Sequence, residues 1–276
     1  MKEKYLISSD MDATFLRNDQ SISDRTVSYI SSLVNKDHHF IINTGRPHQG
    51  AVKFLKRLSI HEPMIVNNGT AIVWYDQDYE KVEKYITFHM NIDILKSLIK
   101  ETKHAFGSVF VTSIFDEYTN SYDSLPFFVK HPSPLVNIHE GDVEELLKTP
   151  PIKVEFRIKE EYKDEFIKRL NEDKYKDEFD YIYWGDYDNI SSFELSKKGV
   201  NKGSAMEYLL SLYSIRKENS FSFGDQLNDL PMIEKSSYGV AMITSRSEVI
   251  SKAKYISSYD NNNDGVIMFL KDIIKE

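Results

Sequence analysis

Tyr5-Leu6-Ile7-Ser8-Ser9-Asp10-Met11-Asp12-Ala13-Thr14 is a short apolar run that breaks into serines and then two aspartates at alternate positions. An apolar run ended by a Ser-Ser-Asp turn reads as a buried strand. Phe40-Ile41-Ile42, ended by Asn43-Thr44-Gly45-Arg46-Pro47, reads the same way. Between the two, Ser23 can cap a segment in which Val27, Ile30, Leu33 and Val34 recur at helical spacing. Strand, helix, strand is the opening of a parallel sheet, because parallel neighbours need a long crossover connection. Pro47 suits the first turn of the next helix, with Val52, Leu55 and Leu58 on one face. Met64-Ile65-Val66 then supplies a third strand, ended by Asn67-Asn68-Gly69.

The same grammar returns late in the chain: a helix from about Lys202 to Tyr213, a strand from Ser220 to Phe223, a loop at Gly224-Asp225, a helix through Met232 and a strand from Tyr238 to Met242. The middle of the chain is richer in aromatic and charged residues, with candidate strands at Ser108 to Thr112, Ile152 to Ile158 and Asp180 to Trp184. The pattern predicts an α/β parallel-sheet core from residues 1–82 and 190–276, with a separate α/β domain, residues 83–189, inserted between its halves. The Pro-containing stretch Lys130 to Pro134 reads as a loop, and the aromatic-rich stretches Tyr122 to Phe128 and Tyr181 to Tyr187 read as packing.

With 276 residues, 41% of them hydrophobic and 28% charged, the chain has enough apolar material for a sizeable core. A net charge of −8 repels polyanions, so neither nucleic acid nor an anionic membrane surface is expected as a partner. The absence of cysteine excludes a disulfide framework, a thiolate metal site and a cysteine nucleophile, so a nucleophile must be oxygen or nitrogen. The charged start Met1-Lys2-Glu3-Lys4 is followed by too few apolar residues for a signal peptide, and no apolar stretch reaches membrane-spanning length. A cytoplasmic location is expected.

In an open parallel sheet, ligands bind outside the carboxyl ends of the strands. Polar residues gather at those positions: Asp10 and Asp12 after the first strand, Thr44 and Arg46 after the second, Lys202 at a late helix start, and Asp225, Asn228 and Asp229 after a later strand. Asp10, Asp12 and Asp225 are expected to bring three carboxylates into one small volume. Their mutual repulsion is relieved by a hard divalent cation, and oxygen-only ligation suits Mg²⁺. The metal would let a carboxylate nucleophile approach an anionic phosphate. Lys202 and the Thr44 hydroxyl would hold the remaining phosphoryl oxygens, and Asp12 would protonate the leaving alkoxide and then activate water.

The ordered set Asp10-Met11-Asp12-Ala13-Thr14, Thr44-Gly45-Arg46-Pro47, Lys202-Gly203 and Gly224-Asp225-Gln226-Leu227-Asn228-Asp229 resembles the four motifs of the haloacid dehalogenase superfamily. It is most similar to the Cof-type sugar-phosphate phosphatase branch. Asn67-Asn68-Gly69, Gly239-Val240-Ala241-Met242 and Asn263-Asp264-Gly265-Val266 extend the resemblance over nearly the whole chain. The resemblance implies a Rossmann-like core with an inserted α/β cap that closes over the site and selects a small phosphorylated metabolite. It implies Asp10 as nucleophile and Asp12 as acid and base. Magnesium would be held by Asp10, the Asp12 backbone carbonyl and Asp225. Thr44, Gly45, Arg46, Lys202 and Asn228 would bind phosphate or substrate, with Asp229 behind them orienting Lys202 or a metal-bound water.

One position departs from the pattern: the first motif usually reads Asp-x-Asp-Gly-Thr, and Ala13 stands in place of the glycine. If φ is positive there, alanine costs about 1 kcal/mol relative to glycine, and a tolerated exchange is the expected reading because every charged group remains. A phosphomutase with the same covalent chemistry, and a weakened phosphate-ligand sensor, are the alternatives. Two calcium-loop look-alikes fail. The loop from Asp10 has Phe15 and Ser21 where glycine and glutamate are needed, and the loop from Asp260 has Lys271 at its last ligand position. The latter reads as a turn into a C-terminal helix. Of eight histidines, only His48, beside Arg46 and Pro47, lies near the motifs.

Overall fold

The expected strand at Tyr5 to Ile7 forms as β1 (Leu6–Ser9), with every residue buried. This computed structural model describes residues 3–124 and 136–274; the loop read at Lys130 to Pro134 and most of the Tyr122 to Phe128 stretch lie outside the described residues. The chain divides into two units, residues 1–86 with 201–276, and residues 87–200.

The larger unit is built on an eight-stranded sheet. Its strands are β1, β2 (His39–Asn43), β3 (Met64–Val66), β4 (Ala71–Tyr75) and β5 (Val82–Thr87), joined after the second unit by β12 (Ser220–Gly224), β13 (Tyr238–Ala241) and β14 (Tyr255–Ile256). They run in the order β14-β13-β12-β1-β2-β3-β4-β5. All pairings from β14 to β3 are parallel, and β3 with β4 is antiparallel. The expected parallel core is therefore extended by antiparallel pairing that the periodicity of the first three strands does not reveal. Register places Ser9 beside Ile42 on one side and beside Phe223 on the other. Residues that leave β1, β2 and β12 at their carboxyl ends consequently emerge side by side.

The crossovers follow the local signals. Ser23 accepts from Thr26 N and caps α1 (Asp24–Val34); Pro47 precedes α2 (His48–Leu58), whose Ala51, Phe54, Leu55 and Leu58 are buried. The loop from Asp260 is the expected turn into a C-terminal helix, Gly265–Ile273: Asp260 accepts from Asn263 N, while Asp264 is engaged by Arg17, Arg25 and Ser23.

The second unit has a six-stranded sheet of its own, β6 (Phe106–Thr112), β7 (Asp116–Thr119), β8 (Asn137–Glu140), β9 (Lys153–Lys159), β10 (Phe179–Tyr187) and β11 (Ile190–Lys197), in the order β10-β11-β9-β6-β7-β8. β11 corrects the expected boundary. Residues 190–197, assigned to the core from sequence, pair antiparallel with β10 on one side and β9 on the other, so the division falls after residue 200. Phe193-Glu194-Leu195 alternates, the pattern of a strand with one apolar face, and Ser191, Phe193 and Leu195 are buried. The apolar face of this sheet, with Val109, Val111, Val154, Phe156, Phe193 and Leu195, packs against buried helical residues such as Leu95, Leu98, Phe166 and Tyr175. The Tyr181 to Tyr187 stretch is less enclosed than expected: Tyr181 and Tyr183 pack on Phe193, yet both remain exposed on the edge strand β10.

The opposite face carries ionisable groups. Lys153 Nζ lies 2.8 Å from Glu155 Oε1, and Glu117 Oε2 accepts from Thr112 Oγ1 at 2.8 Å. Burial pushes the Glu117 carboxyl from its ordinary 4.5 up to about 8, outweighing the pull of Lys153. An acid whose folded pKa is raised binds its proton more tightly folded than unfolded. Its contribution is therefore most favourable below the unfolded value and declines as pH rises towards the folded one. Glu117→Gln, which stays neutral, is expected to lose about 1 kcal/mol or more of the wild-type stability difference between about pH 5 and about pH 9. Urea unfolding at the two pH values checks this, and an unchanged difference would refute it.

Candidate active site

Four segments of the larger unit meet at the carboxyl ends of β1, β2 and β12. Asp10 follows β1, and its backbone N–H donates to the Phe223 carbonyl of β12 at 2.9 Å, pinning the two strand ends together. Lys202 opens the helix Lys202–Leu212, which Asn201 caps by accepting from the N–H groups of Gly203 and Ser204. Asn43 holds that helix start against β2 by donating to the Lys202 carbonyl at 3.1 Å. Gly203 is required by closeness: a Cβ there would lie 2.4 Å from the Pro231 carbonyl oxygen.

Lys202 is fully buried, and its ammonium donates to Asp10 Oδ1 at 2.5 Å and to Asp229 Oδ1 at 2.6 Å. Burial would push the ammonium down, but Asp10 and Asp229 together outweigh it and hold Lys202 firmly charged. An ammonium has three donors, so one remains for a ligand. For Asp10 the balance runs the other way. Burial, with Asp229 and Asp225 adding to it, raises the carboxyl further than Lys202 lowers it. One lysine does not neutralise three neighbouring carboxylates.

Those carboxylates are Asp10, Asp225 and Asp229, which offer oxygens within 4.8 Å of one another, the single such group among the described residues. This corrects the expected trio: the third side chain is Asp229, and the Asp12 carboxylate lies elsewhere. Asp12 is extended (φ −72°, ψ 130°) and Ala13 turns left-handed (φ 56°), which swings the Asp12 side chain, half exposed, onto the Arg46 guanidinium. Arg46 Nε donates to Asp12 Oδ2 at 2.8 Å and Nη2 to Oδ1. Arg46, expected to bind phosphate or substrate, is thus engaged with an acid of the first motif.

Asp229 folds back onto its own loop. Its Oδ2 accepts from the N–H groups of Asp225 and Gln226, each at 2.9 Å, while Oδ1 serves Lys202. Gly224 makes this possible, since a Cβ there would sit 2.3 Å from Asp229 Cβ. Asp225 accepts from Thr14 Oγ1 at 2.8 Å and from Gln226 Nε2 at 2.9 Å, leaving each oxygen a lone pair. An oxygen-only donor set with surplus negative charge and free lone pairs fits a hard divalent cation. Thr44 is buried; its hydroxyl accepts from Arg46 N at 3.1 Å, so its own O–H is left to donate. Gly45 lies against the Asn68 side chain, and Asn228 Nδ2 donates to Asn68 Oδ1 at 2.9 Å. His48 is buried and pairs with Tyr75 at 2.6 Å, a packing contact on β4.

Thr14, Asn43 and Asn68 were not singled out as site residues from sequence. Thr14 had a signal, being the last residue of the first motif. Asn68 lies in the Asn67-Asn68-Gly69 stretch that extends the resemblance, and Asn43 carries no signal beyond lying at a strand end.

These groups stand together at the carboxyl edge of a Rossmann-like α/β core. The sequence profile of the haloacid dehalogenase-like hydrolases matches residues 7–270, and the chain belongs to that family. It is similar to the 5-amino-6-(5-phospho-D-ribitylamino)uracil phosphatase YitU of Bacillus subtilis strain 168, with 27% identity over 97% of each chain. A second relative, the 5-amino-6-(5-phospho-D-ribitylamino)uracil phosphatase YcsE of the same organism, is 24% identical over 95% of this chain and 92% of that one. A haloacid dehalogenase-like hydrolase from Bacteroides thetaiotaomicron shares the fold, with a TM-score of 0.76 and 22% identity over 99% of this chain and 100% of that one.

The positive φ of Ala13 permits a quantitative expectation. Ala13→Gly relieves about 1 kcal/mol of left-handed strain but restores about 0.4–1 kcal/mol of unfolded-chain entropy. Its Tm is therefore expected within about 2 °C of wild type. The β-branched Ala13→Val is expected to be less stable by about 2 kcal/mol. Thermal unfolding checks both, and a valine variant as stable as wild type would refute the assigned backbone.

Proposed function

We propose that this chain is a magnesium-dependent phosphatase that hydrolyses a small phosphomonoester, a sugar or sugar-alcohol phosphate, through a phosphoaspartate formed on Asp10. The observation that carries this reading is the buried Lys202 ammonium set between Asp10 and Asp229, with Asp225 in the same cluster. Membership of the family supports it, as do the names of the two Bacillus relatives, whose substrate bears its phosphate on a ribityl chain. Asp10 and Asp225, with the Asp12 carbonyl, would hold magnesium, which supplies the positive charge that lets a carboxylate approach an anionic ester.

Lys202 and the Thr44 hydroxyl hold phosphoryl oxygens and keep the phosphorus in line with Asp10. With Oδ1 engaged by Lys202, the other Asp10 oxygen attacks phosphorus. The bond to the leaving oxygen breaks, and that oxygen takes a proton from the Asp12 carboxyl. Asp12, now a carboxylate, accepts a proton from water as the water oxygen bonds to phosphorus; the Asp10 acyl-phosphate bond breaks, returning free Asp10, protonated Asp12 and inorganic phosphate. Arg46 orients the Asp12 side chain, gripping it as a carboxylate between the two steps. Residues 87–200 serve as the substrate-selecting cap, and the protein works in the cytoplasm.

The test is phosphate release from a panel that includes ribitol 5-phosphate, glycerol 3-phosphate and 4-nitrophenyl phosphate, with and without magnesium. Turnover is expected to need magnesium and to fall about a thousandfold or more in Asp10→Asn. Undiminished release by that variant removes the covalent route, and release of an isomer without free phosphate would make the protein a mutase.

A further inference from the structure

Asn67, Asn68 and Gly69 all have positive φ (50°, 57° and 97°), a conformation that costs asparagine about 1 kcal/mol per residue and persists only where surroundings impose it. The surroundings here are the site itself. Asn67 N–H donates to the Arg46 carbonyl at 3.0 Å, and Asn68 N–H donates to the Thr44 carbonyl at 3.1 Å, so the turn grips the Thr44–Arg46 segment by its backbone. A Cβ on Gly69 would lie 2.3 Å from the Asn201 carbonyl carbon and 2.7 Å from Lys202 N, so the turn abuts the start of the lysine helix. The Asn68 carboxamide accepts from Asn228 Nδ2 at 2.9 Å, reaching the loop that carries Asp225 and Asp229. One buried three-residue turn therefore touches three of the four segments of the site.

We infer that Asn68 is a positioning residue for phosphoryl transfer, acting through Asn228 to register the phosphate-gripping segment against the acidic loop. This rests on the phosphatase reading of the site. Asn68 N–H holds the Thr44 carbonyl, and its carboxamide accepts from Asn228 on the acidic loop. Its effect is geometric: Thr44 and Lys202 must hold one phosphate in line with Asp10, and misplacement by about 1 Å can cost about a hundredfold in rate. Such a loss falls on kcat, because ground-state contacts to the phosphate survive a small shift better than in-line alignment does.

Asn68→Gly removes the carboxamide while leaving a backbone that adopts positive φ freely, and Asn228→Ala removes the other half of the pair. Each is expected to lower kcat about tenfold with KM changed less than about threefold, on the ester that wild type turns over best. The double variant is expected to lose no more than the worse single one, since both remove the same contact. Tm should stay within about 2 °C of wild type in Asn68→Gly. Unchanged kcat, losses that multiply in the double variant, or a rate loss that simply follows falling Tm would each overturn the assignment. If Asn68→Gly does not fold, Asn68→Ser, whose side chain is too short to reach Asn228, decides in its place: a tenfold kcat loss with KM held supports the role, and wild-type kinetics overturn it. A wild-type chain that releases no phosphate from any ester overturns the phosphatase reading and this one together, whereas active wild type with a fully active Asn68→Gly overturns this one alone.

Discussion

The site depends on one buried ammonium. Lys202 Nζ sits within 2.6 Å of both Asp10 and Asp229, with no exposure of its own side chain. An isolated charge at such depth would be driven to neutrality, and carboxylates so placed would repel one another. Each group is tolerable only because the others are present. Removing the lysine would leave uncompensated buried carboxylates, a loss on the order of 3–5 kcal/mol. The same interaction draws the end of β1, the start of a helix and the loop after β12 to one point. An electrostatic requirement thus becomes a constraint on the backbone of three separate segments.

Several local features are answers to that constraint. Gly224 has no side chain because Asp229 must fold back over it, and Gly203 has none because the lysine helix must approach Pro231 closely. Asn201 caps that helix with a reciprocal bond from its own N–H to Ser204, so the first turn is held at the point where Lys202 leaves it. Left-handed residues stand at the same edge too, at Ala13 and in the turn Asn67–Gly69. Strain of this kind survives where surrounding contacts over-determine the backbone: Asn67 and Asn68 are tied to the Arg46 and Thr44 carbonyls, and the Ala13 turn is held by the bonds of Asp12 with Arg46 and of Thr14 with Asp225. Ala13 is therefore tolerated in a position suited to glycine: a penalty of about 1 kcal/mol is small beside the interactions that fix the turn.

Carboxylate surplus is the second theme. Asp10, Asp225 and Asp229 share a single lysine, and the free lone pairs on Asp225 mark where a cation fits. Asp12 is handled separately, paired with Arg46 outside the cluster. Two acids two residues apart thus have different environments, one buried beside an ammonium and one half exposed beside a guanidinium.

The sequence by itself determined the central strands of the larger unit, the helices beside them and the polar residues at their ends. β2, β3 and β13 carry short apolar runs, β1 opens on one, β12 alternates serine with phenylalanine, and Ser23 and Pro47 mark helix starts, all signals carried by near neighbours in the chain. Asp10, Thr44 and Asp225 were legible for the same reason, because the carboxyl end of a parallel strand is identifiable from the strand, and Lys202 was legible from the helix start it opens. Only the tertiary structure decided that Asp229 and not Asp12 completes the acidic cluster, that Arg46 turns to Asp12, that Asn68 reaches Asn228 across 160 positions, and that residues 190–197 join the second sheet. These outcomes hinge on sheet register, on a missing Cβ at Gly224 and on the sign of one φ at Ala13. Such quantities are set by packing between segments far apart in the chain, to which the periodicity of any single segment is blind.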